Sequence, residues 1–192
     1  MKEKTDDIIL KTAINLFKQK GYSNVTMNEI CDECNITKST FYYHYKTKDD
    51  LILRYYKQLS ENVAEIMSAL LKDKPYLNKI WICFEYVIDN MISLGPELMK
   101  NLIQVDMNTG CMVFAQFYYG YSEEKKLFAE MIIELIRQGQ QTNEIRNDIE
   151  ATDLLTLYSF ALMGVEMHWG STGGEYDQKK SLKKLFNIVF NK

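Results

Sequence analysis

The sequence predicts an all-α protein: a small N-terminal three-helix unit, joined by a long helix to a larger helical unit. Three observations carry this. Apolar residues recur at three- and four-residue spacing along the chain, and no stretch alternates apolar and polar in the manner of a strand. The only two prolines, Pro75 and Pro96, stand at helix boundaries. Thr26, Thr37 and Thr47 each sit one residue before a helical pattern, where a hydroxyl can cap free N–H groups. At 192 residues and 46% hydrophobic content, the chain is ordinary for a globular protein and long enough to bury a sizeable core.

The stretch Thr26 to Lys48, TMNEICDECNITKSTFYYHYKTK, reads as two short helices joined by a tight turn. Thr26 can accept from the backbone N–H of Glu29, and Glu29 can reach back in the capping-box manner. Val25 and Ile30 stand where a hydrophobic staple would close. The pattern recurs eleven residues on, with Thr37 as cap and Ile36 and Phe41 as staple. Asn35, between the two helices, tolerates the left-handed backbone of a helix-ending turn. Helix, turn and helix, the second opening with Thr-Lys-Ser-Thr, is the arrangement that seats a recognition helix in a DNA major groove.

The faces of the second helix agree. Phe41 and Tyr45, four apart, can pack inward, leaving Lys38 with Tyr42 and Ser39 with Tyr43 in adjacent rows outside. From Ile36 to Lys48 there is no acid, while Lys38, Lys46, Lys48 and His44 can supply positive charge. The expected DNA contacts are Thr26, Thr37, Lys38, Ser39, Thr40, Tyr42, Tyr43, His44 and Lys48. A plain capped helical hairpin with outward aromatics is the alternative. The first arginine is Arg54, so bidentate Arg–guanine contacts are absent from the first fifty residues, and Lys38 is the long cation placed to reach guanine N7 or O6. The net charge of −3 is no obstacle: eight Lys and eight acids cancel over residues 1–50, and beyond about 10 Å screening leaves the local basic segment to act. A modest phosphate attraction follows.

Residues 9–54 resemble the DNA-binding domain of bacterial regulators of the TetR/AcrR family. Leu16-Phe17-Lys-Gln-Lys-Gly21-Tyr22 is similar to the end of the family's first helix. Thr26, Ile30-Cys31, Cys34-Asn35-Ile36 and Thr37 stand where the family has Thr, Ile-Ala, Ala-Gly-Val and a Ser or Thr cap. Phe41-Tyr42-Tyr43-His44-Tyr45-Lys46-Thr47-Lys48-Asp49-Asp50-Leu51 follows its Leu-Tyr-x-His-Phe-x-x-Lys-x-x-Leu run. The departures are Asn for Gly at 35, Tyr for Phe at 45, and Cys for Ala at 31 and 34. The resemblance implies a DNA-binding domain over residues 1–50 and a helical ligand-binding and dimerisation domain over 51–192. It further implies a ligand-responsive repressor acting as a homodimer on a double-stranded, pseudo-palindromic operator.

Cys31 and Cys34 form a C-x-x-C, which can signal zinc or a redox pair. No second C-x-x-C or nearby His pair completes a site, and a free Cys on an inward helix face acts as a small hydrophobe. Packing is therefore the expected role, with no metal and no cofactor. Thr47, with Asp50 behind it, should cap a helix running to about Lys72 through Leu51, Tyr55, Leu59, Val63, Ile66 and Leu70. A helix from about Tyr76 should stop at Gly95-Pro96, and another should cover roughly Glu97 to Met107. Ser122 should cap one ending near Gly139. The last two are expected over Glu150 to Trp169 and from about Asp177.

Cys111 to Tyr121, CMVFAQFYYGY, is dense in aromatics. Such residues can simply be core, but the resemblance implies a ligand cavity, with Trp81, Phe84, Met107, Phe114, Phe117, Tyr118 and His168 as its candidate lining. Met and aromatic walls suit an apolar or lipophilic small molecule. Glu85, Asp89, Asp106 or Glu166 could add an anionic contact, which would favour a lipophilic cation. The resemblance also implies a four-helix dimer interface, for which Met131, Leu135, Leu154, Tyr158, Ala161, Gly164 and Val165 are the candidates. Burial of these faces within the monomer is the alternative.

Catalysis has little support: there are only two His, His44 and His168, and no Gly-rich phosphate loop or nucleophile motif. No apolar run reaches membrane-spanning length, and MKEKTDDIIL lacks the apolar core of a signal peptide. A cytoplasmic protein without membrane contact is expected. The remaining alternative is a helical small-molecule-binding or interaction protein that does not bind an operator.

Overall fold

The computed structural model describes residues 4–60, 70, 72–109 and 123–192. Among them are nine α-helices and no strand. Helix α1 (Thr5–Lys20) buries Ile9, Leu10, Ala13, Ile14, Leu16 and Phe17 along one face. It stops at Gly21, whose φ of 85° suits glycine, and a short 3-10 turn (Tyr22–Asn24) follows. Helices α2 (Met27–Glu33), α3 (Lys38–His44) and α4 (Lys48–Ser60) complete the head.

The expected caps form. Thr26 Oγ1 accepts from the Glu29 N–H at 3.2 Å and Thr37 Oγ1 from the Thr40 N–H at 3.2 Å. At α4 the capping box is reciprocal: the Asp50 N–H donates to Thr47 Oγ1 at 3.1 Å, and Asp50 Oδ2 accepts from the Thr47 N–H at 2.9 Å. The Glu29 carboxylate takes the Lys20 ammonium, tying α2 to the end of α1, and also faces the Thr26 backbone N–H in the capping-box manner. The Lys20 bond first, with the Thr26 N–H adding to it, holds its pKa down. Asn35 is left-handed, with φ 53°, and the N–H groups of Asn35 and Ile36 bond to Asp32 O (3.1 Å) and Cys31 O (3.0 Å), closing the helix end.

The body comprises α5 (Tyr76–Leu94), α6 (Pro96–Thr109), α7 (Glu123–Gln141), α8 (Ala151–Ser171) and α9 (Gln178–Phe190). Pro96 opens α6 at a position where its missing N–H costs nothing. Asp177 caps α9 by accepting from the Lys180 N–H at 2.9 Å. The expected run of α4 to about Lys72 and the Ser122 cap extend outside the described residues.

Two cores organise the chain. The first gathers α1–α4 with Val87, Met91 and Leu94 of α5, Leu98, Met99, Leu102 and Val105 of α6, and Trp169 of α8, so it continues across residue 50. The second joins the other face of α5 to α7, α8 and α9. At its centre Phe84 meets Tyr158 edge-on at 4.4 Å, and the Tyr158 hydroxyl donates to Leu182 O at 3.1 Å. Helix α8 touches both cores. Its Gly170 lies so close to α6 that an added Cβ would stand 3.2 Å from Lys100 N and 3.4 Å from Pro96 O. Among the described residues, no helix is long and apolar enough to cross a membrane.

Candidate nucleic-acid interface and its link to the body

Helix α3 is held from behind by Phe41, fully buried, and by Tyr45, whose hydroxyl donates to Asp6 O at 3.2 Å. That anchoring turns the opposite rows outward. Lys38 and Ser39 are exposed, with Tyr42 at 52% and Tyr43 at 85% exposure. His44 is half-buried against the edge of the Tyr43 ring, 5.0 Å between centroids. Thr26 and Thr37 are exposed at the starts of α2 and α3, their oxygens engaged as caps, and the half-buried Thr40 hydroxyl bonds to that of Thr37 at 2.9 Å. The structure thus brings eight of the nine expected contacts to the outer side or the ends of α2 and α3.

The ninth, Lys48, is a correction. Its ammonium points inward, donating to Tyr22 O at 2.6 Å and Val25 O at 3.0 Å and standing 4.2 Å from the centre of the Tyr22 ring. Two carbonyls and a ring face hold this cation in place of solvent, while burial lowers its pKa. The Tyr22 hydroxyl in turn donates to Asp49. Burial first, and that bond second, push its pKa up. Lys48 therefore locks the start of α4 to the turn after α1. No local pattern announced this, because its partners lie 26 and 23 residues away.

Cys31 is buried and Cys34 half-buried, both as free thiols, and burial raises the Cys31 pKa. A Cys31 thiol held protonated by burial lacks the thiolate character that marks a redox cysteine.

The head is clasped to the body at the α5–α6 turn. The Tyr22 N–H donates to Glu97 Oε1 at 3.1 Å, and Lys18 Nζ donates to Ser93 O at 2.9 Å. Gly21 leaves room for this carboxylate: an added Cβ would stand 2.7 Å from Glu97 Oε1. A cleft of about 390 Å³ lies alongside, lined by Phe17, Lys18 and residues 92–98. Glu97 and Lys18 carried no sequence signal, since their partners are 75 residues distant.

The four described residues of the expected cavity lining, Trp81, Phe84, Met107 and His168, stand in different surroundings. Phe84 is core, Met107 is 74% exposed, and His168 is exposed and stacked on Tyr176 at 5.4 Å. Trp81 lies beneath Lys183, whose ammonium is 3.9 Å from the ring centre, on the outer side of α5 and α9. Phe114, Phe117 and Tyr118 lie outside the described residues.

The expected dimer residues divide. Leu154 and Tyr158 are corrections: both are fully buried in the second core and have no surface to offer a partner. Met131, Leu135 and Val165 are half-buried against that core. Ala161 is half-buried and Gly164 exposed, with open space where a Cβ would be. They fall in an outward stripe with Leu157, Phe160 (54% exposed) and Met167 on α8. Helical spacing alone could not find this stripe, because α8 is apolar on every side.

Against known proteins, a profile described as bacterial regulatory proteins, tetR family, matches residues 9–55. Over 146 residues the chain is 42% identical to the uncharacterized HTH-type transcriptional regulator YerO of Bacillus subtilis (strain 168), covering 72% of this chain and 49% of that one. The chain thus spans about half the length of that relative. It is 25% identical over 194 residues to the probable acrEF/envCD operon repressor of Escherichia coli (strain K12), covering 97% of this chain and 85% of the repressor. Its fold is similar to that of Thermus thermophilus FadR, a TetR family transcriptional repressor in complex with lauroyl-CoA, with a TM-score of 0.63 at 14% identity over 96% of this chain and 92% of FadR.

Proposed function

The chain belongs to the TetR family of bacterial regulatory proteins, and on that premise we propose that it is a ligand-responsive transcriptional repressor binding a pseudo-palindromic operator as a homodimer. The observation that carries this reading is the outer face of α3, where Lys38, Ser39, Tyr42 and Tyr43 stand free while Phe41 and Tyr45 hold the helix from behind. Dimerisation through the α8 stripe would present two such helices to successive major grooves roughly 34–36 Å apart. The protein would act in the cytoplasm, by binding and not by catalysis. A lipophilic effector in the body would shift α6, and the Glu97–Tyr22 clasp would carry that shift to the head. Nearly complete release requires about 10⁴-fold tighter effector binding to the DNA-free state.

The test is a gel-shift selection of fragments from the DNA flanking the protein's own coding sequence. The full chain should retain a fragment containing an inverted repeat, and Lys38→Ala should weaken that retention. A folded, dimeric protein that retains no duplex would instead favour a helical ligand-binding or interaction protein without an operator.

A further inference from the structure

Glu166 has 0% exposure, and neither carboxyl oxygen has a hydrogen-bond partner. It lies on α8 between the two cores: Met163 and Trp169, one turn to either side, pack with the first, whereas Leu162 and Val165 pack with the second. The start of α9 sits against the same turn, because the Tyr176 hydroxyl donates to Val165 O at 2.7 Å. Gln178, two residues further and 2% exposed, likewise has both amide atoms unpartnered. Buried polar groups without partners are uncommon in folded proteins and often mark a place where something else supplies the bond. Neither side chain caps a helix or ties two elements together.

The sign of the missing partner follows from what surrounds it. The buried polar and charged side chains among the described residues are Asp106, Ser159, Glu166 and Gln178, and none is basic. An anionic ligand head entering this layer would meet acids and, among the described residues, no buried counter-charge. A neutral head could accept or donate one hydrogen bond but would leave the carboxyl uncharged or unpaired. A cation with N–H donors satisfies both Glu166 oxygens, and in a low-dielectric interior that attraction far exceeds its value in water.

We propose that Glu166 anchors the positively charged head of the effector, which is therefore a lipophilic amine in its protonated form. This rests on the repressor reading for its biological sense, but the anchor itself is a property of the body. Leu162, Met163 and Trp169 pack around Glu166, so the hydrocarbon part of such a ligand would have to part these apolar side chains to reach it. Burial also raises the Glu166 pKa well above its ordinary value, the state expected of a carboxyl awaiting a cation.

Three probes with one tail and different heads test this on the full-length protein: dodecylamine, dodecanol and dodecanoate, each below its micellar concentration. Calorimetry should show dodecylamine binding about tenfold or more tighter than dodecanol, with dodecanoate weakest. Glu166→Gln should abolish the amine's advantage and leave dodecanol binding unchanged, with a cooperative thermal melt showing that the variant is folded. Equal affinity for the three heads in the wild type, binding of none of them, or an undiminished amine preference in Glu166→Gln would each overturn the proposal. Wild-type ranking alone decides the matter should the variant fail to fold. Operator binding is measured separately, without ligand. Its absence would sink the repressor reading and leave the charge preference standing.

Discussion

Lys38 and Tyr42 lie one turn apart on the outer face of α3, yet they suit different parts of a duplex. A lysine at the start of the recognition helix can reach guanine acceptors, whereas a phenol hydroxyl suits a phosphate oxygen. Lys38→Ala should cost about 1–3 kcal/mol and relax preference at one position per half-site. Tyr42→Phe should weaken all sequences alike. Binding measured across single-base operator variants separates the two, and a uniform loss for Lys38→Ala would reject its base-reading role. Glu166 offers a second experiment at this scale. Its carboxyl ionises in the folded chain only well above the ordinary 4.5, because burial opposes the charge. Between the two values unfolding therefore releases a proton, and stability falls as pH rises from the unfolded value towards the raised folded one. Glutamine carries no such dependence. Urea midpoints of Glu166→Gln and wild type should lie closest near about pH 5 and separate in the variant's favour towards about pH 8. Parallel profiles would mean that Glu166 already has a charged partner.

Among the elements, the turn between α2 and α3 makes the sharpest demand on sequence. Asn35 sits at φ 53°, a conformation that a β-branched residue resists. Asn35→Val should cost about 1–2 kcal/mol in chemical denaturation, and Asn35→Gly should stay within about 1 kcal/mol of wild type. Equal stability of the Val variant would show that the turn relaxes. This turn and the three Thr caps were legible in the sequence because a cap and its partner stand within three residues of each other. The inward face of α3 was legible for the same reason, its periodicity being local. Lys48 was misjudged: a cation near a basic segment looks solvent-facing until the Tyr22 and Val25 carbonyls fold against it. Leu154 and Tyr158 were misjudged differently. On a helix apolar all round, composition cannot distinguish the side that meets α9 from the side that faces outward. Trp81, Phe84, Met107 and His168 end in different surroundings because their directions depend on how the helices pack, which no spacing encodes.

For the whole molecule, the exposed stripe of Leu157, Phe160, Ala161, Gly164 and Met167 on α8 is the surface proposed to meet a second copy. Gly164→Lys should place an unpaired charge at its centre, and because a Cβ there meets nothing in the protomer, the isolated fold should tolerate it. Sedimentation should then find a monomer with wild-type helicity and collapsed operator affinity. A dimer that still binds normally would put the interface elsewhere. The close approach at Gly170 bears on how freely such proteins can exchange parts. Helix α8 presses on Pro96 and Lys100 of α6, and the neighbouring Glu97 holds the Tyr22 backbone, so α8, which carries the proposed dimer stripe, connects through α6 to the head. A head transplanted from a relative would have to bring a glycine at 21 and meet an acceptor at 97. Lacking either, the hybrid would fold as two sound halves whose heads stand at the wrong distance on the same DNA.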